Sequence, residues 1–497
     1  MERDARTPSL ARTVLTGAGL IAVAGGIGKL FSLVTSPILT RLLGPSPYGV
    51  VALLGTVTSF ATTVAMLGVD LSYSRYYLAA GQREREAAVE RFCWRFAIGM
   101  ALVAPFAGAA AWRAGSGRTG LSSGLAVMVA AGTFLAVINT MATTRQRMKG
   151  AYVRIAASIA AGGGVGAALA IVLALVWRKD EWSLLVGAAA GVAVGTAIAG
   201  LPSLAVFTKS SGLPRSSRWE VIRLGLSGVV TAPMFWLMSS ADRWFIGMWH
   251  GQGPLGVYSF ASTVGVMGTM LNSAIVVAWF PEMFKTYEAS PEKAAPEIGR
   301  LWARLAGFLM IVWVAVSAAG GDMIRLLAAP SFHGGTSYVP WIAAGVFFYG
   351  ITSLATTGLA IGMDLAPVAG WWIAGALTNV GLNFFLVRAM GAAGAAVSGA
   401  LSFAVIAVGA MRSSQKRYFL PISWRRLGAA AGLALAFGAA MSPPWSGSAL
   451  TSLCLKLPVG IGCAAALTWV VAPDWAARLL RGEFTLWPPR PGSAGPA

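Results

Sequence analysis

The residues most able to do chemistry in this chain are a few ionisable and amide groups set inside long apolar runs. Lys29 stands in the first run, and Asp242 and Arg243 stand together in the seventh. An ionisable side chain in such a run is costly in lipid and is retained where it faces a polar cavity or a partner. Lys29 lies ~16 residues into its run, ~24 Å along a helix, too deep for easy snorkelling. At helical spacing it is flanked by Gly25, Gly26, Ser32 and Ser36, with Thr40 beyond, a stripe of small and polar residues. A cation on that stripe suits a phosphate or a sugar; pairing with another helix is the structural alternative. Arg243 suits an anionic ligand and Asp242 a coupling cation or a gate, the alternative being salt bridges near the membrane surface. Asn379 and Asn383 are i and i+4, placed either for sugar hydroxyls or for helix-to-helix bonding of about 0.6 kcal/mol. Asp70 and Arg75 close the second run, Asp70 as a candidate gate and Arg75 as a candidate anion contact or a topological anchor.

These groups need elements to hold them, and composition says which. Of 497 residues, 56% are hydrophobic and only 11% charged, whereas soluble domains carry about a quarter charged residues. The solvent for this much apolar surface is lipid, where only helices and closed barrels satisfy their backbone groups. Barrel strands would alternate polar and apolar residues over ~10-residue segments; here the apolar runs are continuous over ~20 residues, so the chain reads as an all-α integral membrane protein of about fourteen transmembrane helices. The first run is Thr13–Leu39 and the last Leu450–Val471, with Leu427–Met441 the shortest. The first is too long for a secretory signal and carries Lys29, so it reads as a retained helix.

Net charge is +20. Nucleic-acid binding is one reading of such a balance, but the distribution favours another. With the N-terminus cytoplasmic, 28 Lys and Arg residues fall in cytoplasmic segments, 7 on the opposite side and 3 (Lys29, Arg243, Lys456) within spans. That asymmetry is the positive-inside pattern for cytoplasmic N- and C-termini, with some affinity for anionic lipid. Lys456, near the start of the last run, can snorkel. Most of the nineteen tryptophans, Trp94 and Trp112 among them, lie near span ends where aromatic belts belong; Trp236, Trp371 and Trp372 are the deeper ones. Cys93, Cys454 and Cys463 make no metal or disulfide spacing. Gly25–Leu30 has the Gly-Lys of a P-loop but Leu30 where Ser or Thr is required, so no cofactor is expected.

The chain also repeats itself. Leu43–Ala52 reads LGPSPYGVVA, and His250–Ser259 reads HGQGPLGVYS. Pro47, Gly49 and Val50 match Pro254, Gly256 and Val257 at an offset of 207. Six helices separate them, an even number, which implies two parallel six-helix lobes related by an axis normal to the membrane. The domain division follows: an N-lobe at 1–208, a C-lobe at 209–412, two further helices at 413–472 and a cytoplasmic tail at 473–497.

Several segments resemble bacterial polysaccharide flippases of the Wzx type, within the MATE-like transporter superfamily. They are Arg41–Gly49, Met66–Tyr77, Ser239–Ala261, Ala278–Lys285, Ile324–Trp341 and Gly391–Phe403. The resemblance runs over nearly the whole chain; each motif alone is loose, and their order and spacing carry it. It implies two six-helix lobes plus two helices. It also implies a substrate, an oligosaccharide repeat unit on a polyprenyl pyrophosphate, turned from the cytoplasmic to the outer leaflet of the bacterial inner membrane by alternating access. Arg75 would then meet the pyrophosphate. No ATP site is visible, so H+ or Na+, consumption of the product outside, or a partner such as a polysaccharide polymerase or glycosyltransferase would supply direction. A cation-coupled drug or metabolite exporter on the same fold would instead require an essential carboxylate. A membrane glycosyltransferase, polymerase or ligase would require catalytic groups on sizeable outer loops, and His250 and His333 stand without a nucleophile set.

Overall fold

Each apolar run must satisfy its own peptide groups, and the chain does so with helices throughout: among the described residues there is no strand. The computed structural model describes residues 31, 34–79, 83–119, 122–202, 205–208, 212–229 and 231–480. The main helices are α1 (Pro45–Met66), α2 (Val69–Ala79), α3 (Arg83–Thr119), α4 (Ala126–Met148), α5 (Tyr152–Val176), α6 (Glu181–Ala199), α7 (Arg215–Val229) and α8 (Thr231–His250). They continue as α9 (Gln252–Gly265), α10 (Thr269–Ala289), α11 (Pro291–Leu327), α12 (Val339–Ala355), α13 (Ala366–Met390), α14 (Ala392–Arg417), α15 (Trp424–Met441) and α16 (Ala449–Val471).

Among the described residues, ten helices (α1, α3–α6, α11–α14 and α16) are long and apolar enough to cross a membrane. The fourteen-span expectation differs in four places. Most of Thr13–Leu39 lies outside the described residues. The run 221–249 is divided between α7 and α8, and the run 257–280 is interrupted by a 3-10 turn at Val266–Gly268. The eighteen residues of α15 form the fourth.

The described residues fall into two compact units, one up to Ser259 together with Leu327–Phe332, the other Phe260–Leu326 together with the residues from His333 onward. Within the first unit, α7 packs on α2 and α8 packs on α1. A Cβ on Gly225 of α7 would lie 2.4 Å from the Leu67 carbonyl oxygen, and one on Gly68 would lie 2.4 Å from that of Gly225.

In the first unit, close backbone packing replaces the hydrophobic drive that lipid removes. Gly162 and Gly166 of α5 meet Gly187, Gly191 and Gly195 of α6, each set spaced by four so that one face of each helix is bare. A Cβ on Gly191 would lie 2.5 Å from the Gly162 oxygen, and one on Gly187 would lie 2.7 Å from that of Gly166. Ser158 Oγ adds a hydrogen bond to the Gly195 carbonyl at 2.6 Å.

The C-terminal carbonyls of α6 have no helical partner, and basic or amide side chains supply one. Arg154 Nε donates to Ile198 O at 2.6 Å, Gln146 Nε2 to Ala199 O, and Arg145 Nη1 to Leu201 O at 3.3 Å. Some of the cations that set the topological bias thus also cap a helix.

The sequence repeat is a physical contact within this unit. A Cβ on Gly49 would lie 2.1 Å from Gln252 O, and one on Gly256 would lie 1.8 Å from Pro45 O. Pro45 and Gln252 stand four residues before their respective glycines, at the same offset of 207. The contact is therefore reciprocal, each glycine seated on the carbonyl that its counterpart's helix presents, as in an isologous interface.

In the second unit, α11 runs 37 residues and buries Ile298, Trp302, Leu309 and Met310 against Trp279, Leu354 and Leu427. Near its other end lies a closed ionic cluster. Lys456, 3% exposed, donates to Asp322 Oδ2 at 2.7 Å and to Ala318 O at 3.0 Å. Ser452 Oγ donates to the same oxygen at 2.8 Å. Arg325 lies 3.4 Å from Oδ1 and donates to Ser446 O and Gly447 O. Lys456 does not snorkel: it pins α16 to α11, and Arg325 ties the loop before α16 to the same helix. Trp94 and Trp112 likewise are fully buried rather than belted, and Trp112 Nε1 donates to Ser122 O at 3.1 Å.

Two expectations follow from this packing. Gly191→Leu should separate α5 from α6, cost about 1–3 kcal/mol as overpacking does, and lower the thermal midpoint of the purified protein. Lys456→Ala should be worse than the double change Lys456→Met with Asp322→Leu, because the single change strands a buried carboxylate at a cost of about 3–5 kcal/mol. Thermal melts in detergent compare the two.

Candidate functional site

The site is built on α8. Its residues Trp236, Ser240, Trp244 and Gly247 recur at helical spacing, and three of them have resolved contacts on α1. Trp236 Nε1 donates to Thr56 O and Ser59 Oγ, both at 3.0 Å, and Trp244 Nε1 donates to Thr56 Oγ1 at 2.9 Å. The ring of Trp236 packs on Phe60, centroids 4.6 Å apart, and Gly247 lies against Leu53. Trp236, singled out as a deep aromatic, is therefore a helix-to-helix strut whose indole N–H is committed.

Asp242 stands two residues from both Ser240 and Trp244, about 200° round the helix, and so points away from α1. There Tyr258 of α9, 4% exposed, donates its phenolic hydrogen to Asp242 Oδ2. Arg243 curls back along α8 and donates from Nη1 to Ser239 O at 2.6 Å. Its Nη1 is 3.9 Å from Asp242 Oδ1, at the limit of an ion pair and not bidentate. The side chains of Arg243 and Asp242 are 23% and 14% exposed. A guanidinium carries five N–H donors; one is used here among the described residues, and the rest form a fork suited to a phosphate or carboxylate. The carboxylate beside it takes the phenol on Oδ2 and the Arg243 backbone N–H on Oδ1 at 2.8 Å.

The remaining expected residues are placed as follows. Lys29 lies outside the described residues. Ser36 is 5% exposed and donates to Leu327 O at 3.2 Å, while Thr40 donates to Ser36 O at 2.6 Å and accepts from Ala329 N at 3.1 Å. The polar stripe, where described, thus docks helix 34–43 on the segment Leu327–Phe332. Asp70 is half-buried and Arg75 exposed, and no ion pair among the described residues includes either.

The Tyr73 hydroxyl is buried without a hydrogen-bond partner among the described residues, and burial, then Glu90, pushes its ionisation above the ordinary phenol range.

Asn379 and Asn383 belong to the second unit, 1% and 0% exposed. Asn383 Nδ2 donates to Asn379 Oδ1 at 2.9 Å, and Ser398 Oγ of α14 donates to Asn379 O at 3.2 Å. The two amides thus bond each other within α13, and the bond to α14 is made by the backbone carbonyl of Asn379. Trp371 lies over Gly409 and donates to Ser413 Oγ at 2.9 Å; Trp372 joins Tyr349 and Phe403 in an aromatic cluster. Sequence reasoning missed Tyr258, the partner of Asp242, although it sits two residues after Gly256 in the repeated motif. It also missed Asp322, which stands just beyond the end of the apolar run Leu301–Ala319.

The fold is that of the MATE-like membrane transporters. It superposes on the lipid II flippase MurJ in an inward closed conformation with TM-score 0.69, at 11% identity over 92% of this chain and 99% of that one. A point mutant of a MATE protein matches at 0.52, with 14% identity over 81% and 95% of the two chains. A MATE protein in a bent conformation matches at 0.50, with 13% identity over 86% and 97%. No curated protein matches the sequence. The pattern of the polysaccharide biosynthesis protein family matches residues 14–287, and the chain belongs to that family.

Tyr258→Phe keeps the ring and removes the donor. It should cost about 1.5–3 kcal/mol, the range for a hydrogen bond to a charged group, and Asp242→Asn should recover part of that loss in the double variant, read by thermal melts.

Proposed function

We propose that this protein translocates lipid-linked oligosaccharide units, carried on polyprenyl pyrophosphate, across the cytoplasmic membrane by alternating access, for cell-surface polysaccharide synthesis. The observation that supports it most is Arg243, a guanidinium with donors uncommitted among the described residues, on a helix inside the family-matched region of a flippase-like fold. A pyrophosphate is the doubly anionic, fork-accepting group such a donor set prefers. Lys29, Arg75 and Ser36 remain proposed contributors on the first unit's helices, with Asn379 and Asn383 on the second unit. Asp242, and Asp70 with it, is proposed for H+ or Na+ coupling or gating. In this reading both termini are cytoplasmic, polymerase and glycosyltransferases are partners, and the chain is a transporter without enzymatic activity of its own.

A cation-coupled exporter of drugs or metabolites is the second reading. The observation favouring it is the carboxylate of Asp242, held by a phenol and paired with Arg243 only at 3.9 Å. Substrate chemistry separates the two.

Arg243→Ala and Lys29→Ala should each abolish surface glycan at normal protein levels, and Arg243→Lys should restore only part of it, since a point charge replaces a fork. Unchanged glycan in both alanine variants would remove the lipid-linked substrate from consideration. Asp242→Asn should flatten the dependence of transport on pH or sodium; a dependence identical to that of the parent protein refutes the coupling role.

A further inference from the structure

Three helices of the second unit change from charged to uncharged residues where they meet. In α11, Arg300 and Arg304 are followed by an uncharged stretch over 305–321, and in α15 Arg426 is followed by one over 427–441. In α16 the uncharged stretch is 457–471, with Asp474 three residues beyond it. Packing brings these ends together. A Cβ on Gly299 of α11 would lie 3.4 Å from the Pro421 oxygen, just before α15, and one on Gly307 would lie 3.1 Å from Cγ1 of Val471, the last residue of α16. Leu301, Leu427 and Val471 belong to one buried cluster.

At this meeting point lies a cavity of about 130 Å³ whose polar lining includes Arg300, Arg304, Arg426, Ser423 and Asp474. Three guanidiniums stand there against one carboxylate, an excess of two positive charges. Arg300 and Arg304 are i and i+4 and share a face of α11. Arg300, Arg426 and Asp474 enter no ion pair among the described residues. Ser423, at the N-cap of α15, makes no side-chain capping bond, which leaves its hydroxyl for the cavity it lines.

Guanidinium forks take phosphate oxygens in pairs, and at roughly 30 Å³ for each water-sized group the volume admits the oxygens of one phosphate. Depth in the membrane points to the source. Helices α11 and α16 have membrane-spanning length and apolarity, so the ends of their uncharged stretches mark the depth at which headgroups begin. Trp424, next to Ser423, and Trp469, two residues before Val471, are both more than half exposed, as tryptophans of an interfacial belt are. A basic pocket between helices at that depth suits the headgroup of an anionic lipid.

We infer that this cavity binds the phosphate of an anionic phospholipid headgroup, held by Arg300, Arg304 and Arg426. None of these residues belongs to the proposed transport site, and binding is measured without transport.

The test is native mass spectrometry of the full chain, purified in detergent, with phosphatidylglycerol, phosphatidylcholine or inorganic phosphate added. Phosphatidylglycerol should form a saturable first adduct, at least about threefold tighter than that of phosphatidylcholine. Arg300→Gln and Arg426→Gln, both at exposed positions and made separately, should each weaken that adduct at least about threefold, and together about tenfold. Arg412→Gln combined with Lys416→Gln removes the same charge from exposed positions on α14 and should leave the adduct at the parent level. A first adduct unchanged in both cavity variants overturns the site. So does equal weakening by the α14 pair, which would make the adduct a response to overall charge. Equal affinity for phosphatidylcholine overturns the anionic headgroup, and so does an adduct of inorganic phosphate that needs Arg300 and Arg426 where phosphatidylglycerol forms none, which would make the ligand a free anion.

Discussion

Hydrocarbon offers no hydrogen bond to a peptide group and no counter-charge to an ion, and the rest of this structure depends on how the chain meets that constraint. The cluster at Asp322 meets it by closure. Its carboxylate takes Lys456, Ser452 and Arg325, the lysine also takes a backbone carbonyl, and the arginine spends itself on two more carbonyls. Such a network binds elements together and has nothing left for a ligand. The cluster at Asp242 meets the same constraint incompletely. Its carboxylate takes the Tyr258 phenol on Oδ2 and the Arg243 backbone N–H on Oδ1, and the arginine side chain reaches it only at 3.9 Å. Within the described residues, the difference between a structural charge and a candidate functional one is this difference in committed donors.

The same constraint decides how helices meet. Side chains gain little by leaving lipid for another apolar helix, so the tightest contacts are made by backbone on backbone. The glycine faces of α5 and α6 show it at four-residue spacing, and the crossing of Gly49 with Gly256 shows it at the repeated motif. At that crossing the repeated glycines serve a steric requirement, since any side chain there would occupy the position of a carbonyl on the facing helix. A weak sequence match is thus a strong structural one.

Identities of 11 to 14% to a lipid II flippase and to MATE proteins establish a common fold, and folds of this kind carry several functions. The family match covers residues 14–287 and so includes α8 and Tyr258. What distinguishes this chain must therefore be sought in its own polar groups, Arg243, Asp242 and Tyr258 among them.

Read alone, the sequence was sufficient for class, for most spans and for the repeat, because hydropathy, charge asymmetry and motif spacing are local properties that lipid enforces along the chain. It also pointed to Asp242 and Arg243, since a charge within an apolar run is conspicuous without coordinates. Partners were another matter. Lys456 looked free to snorkel until Asp322, 134 positions earlier, was placed beside it. Ser36, Asn379 and Asn383 read as suited to ligand or to packing, and nothing in the sequence singled out Tyr258. Whether a polar side chain is spent or available depends on what the fold brings within ~3 Å of it, and pairings across such separations leave no mark in spacing or composition; only the tertiary structure decided them.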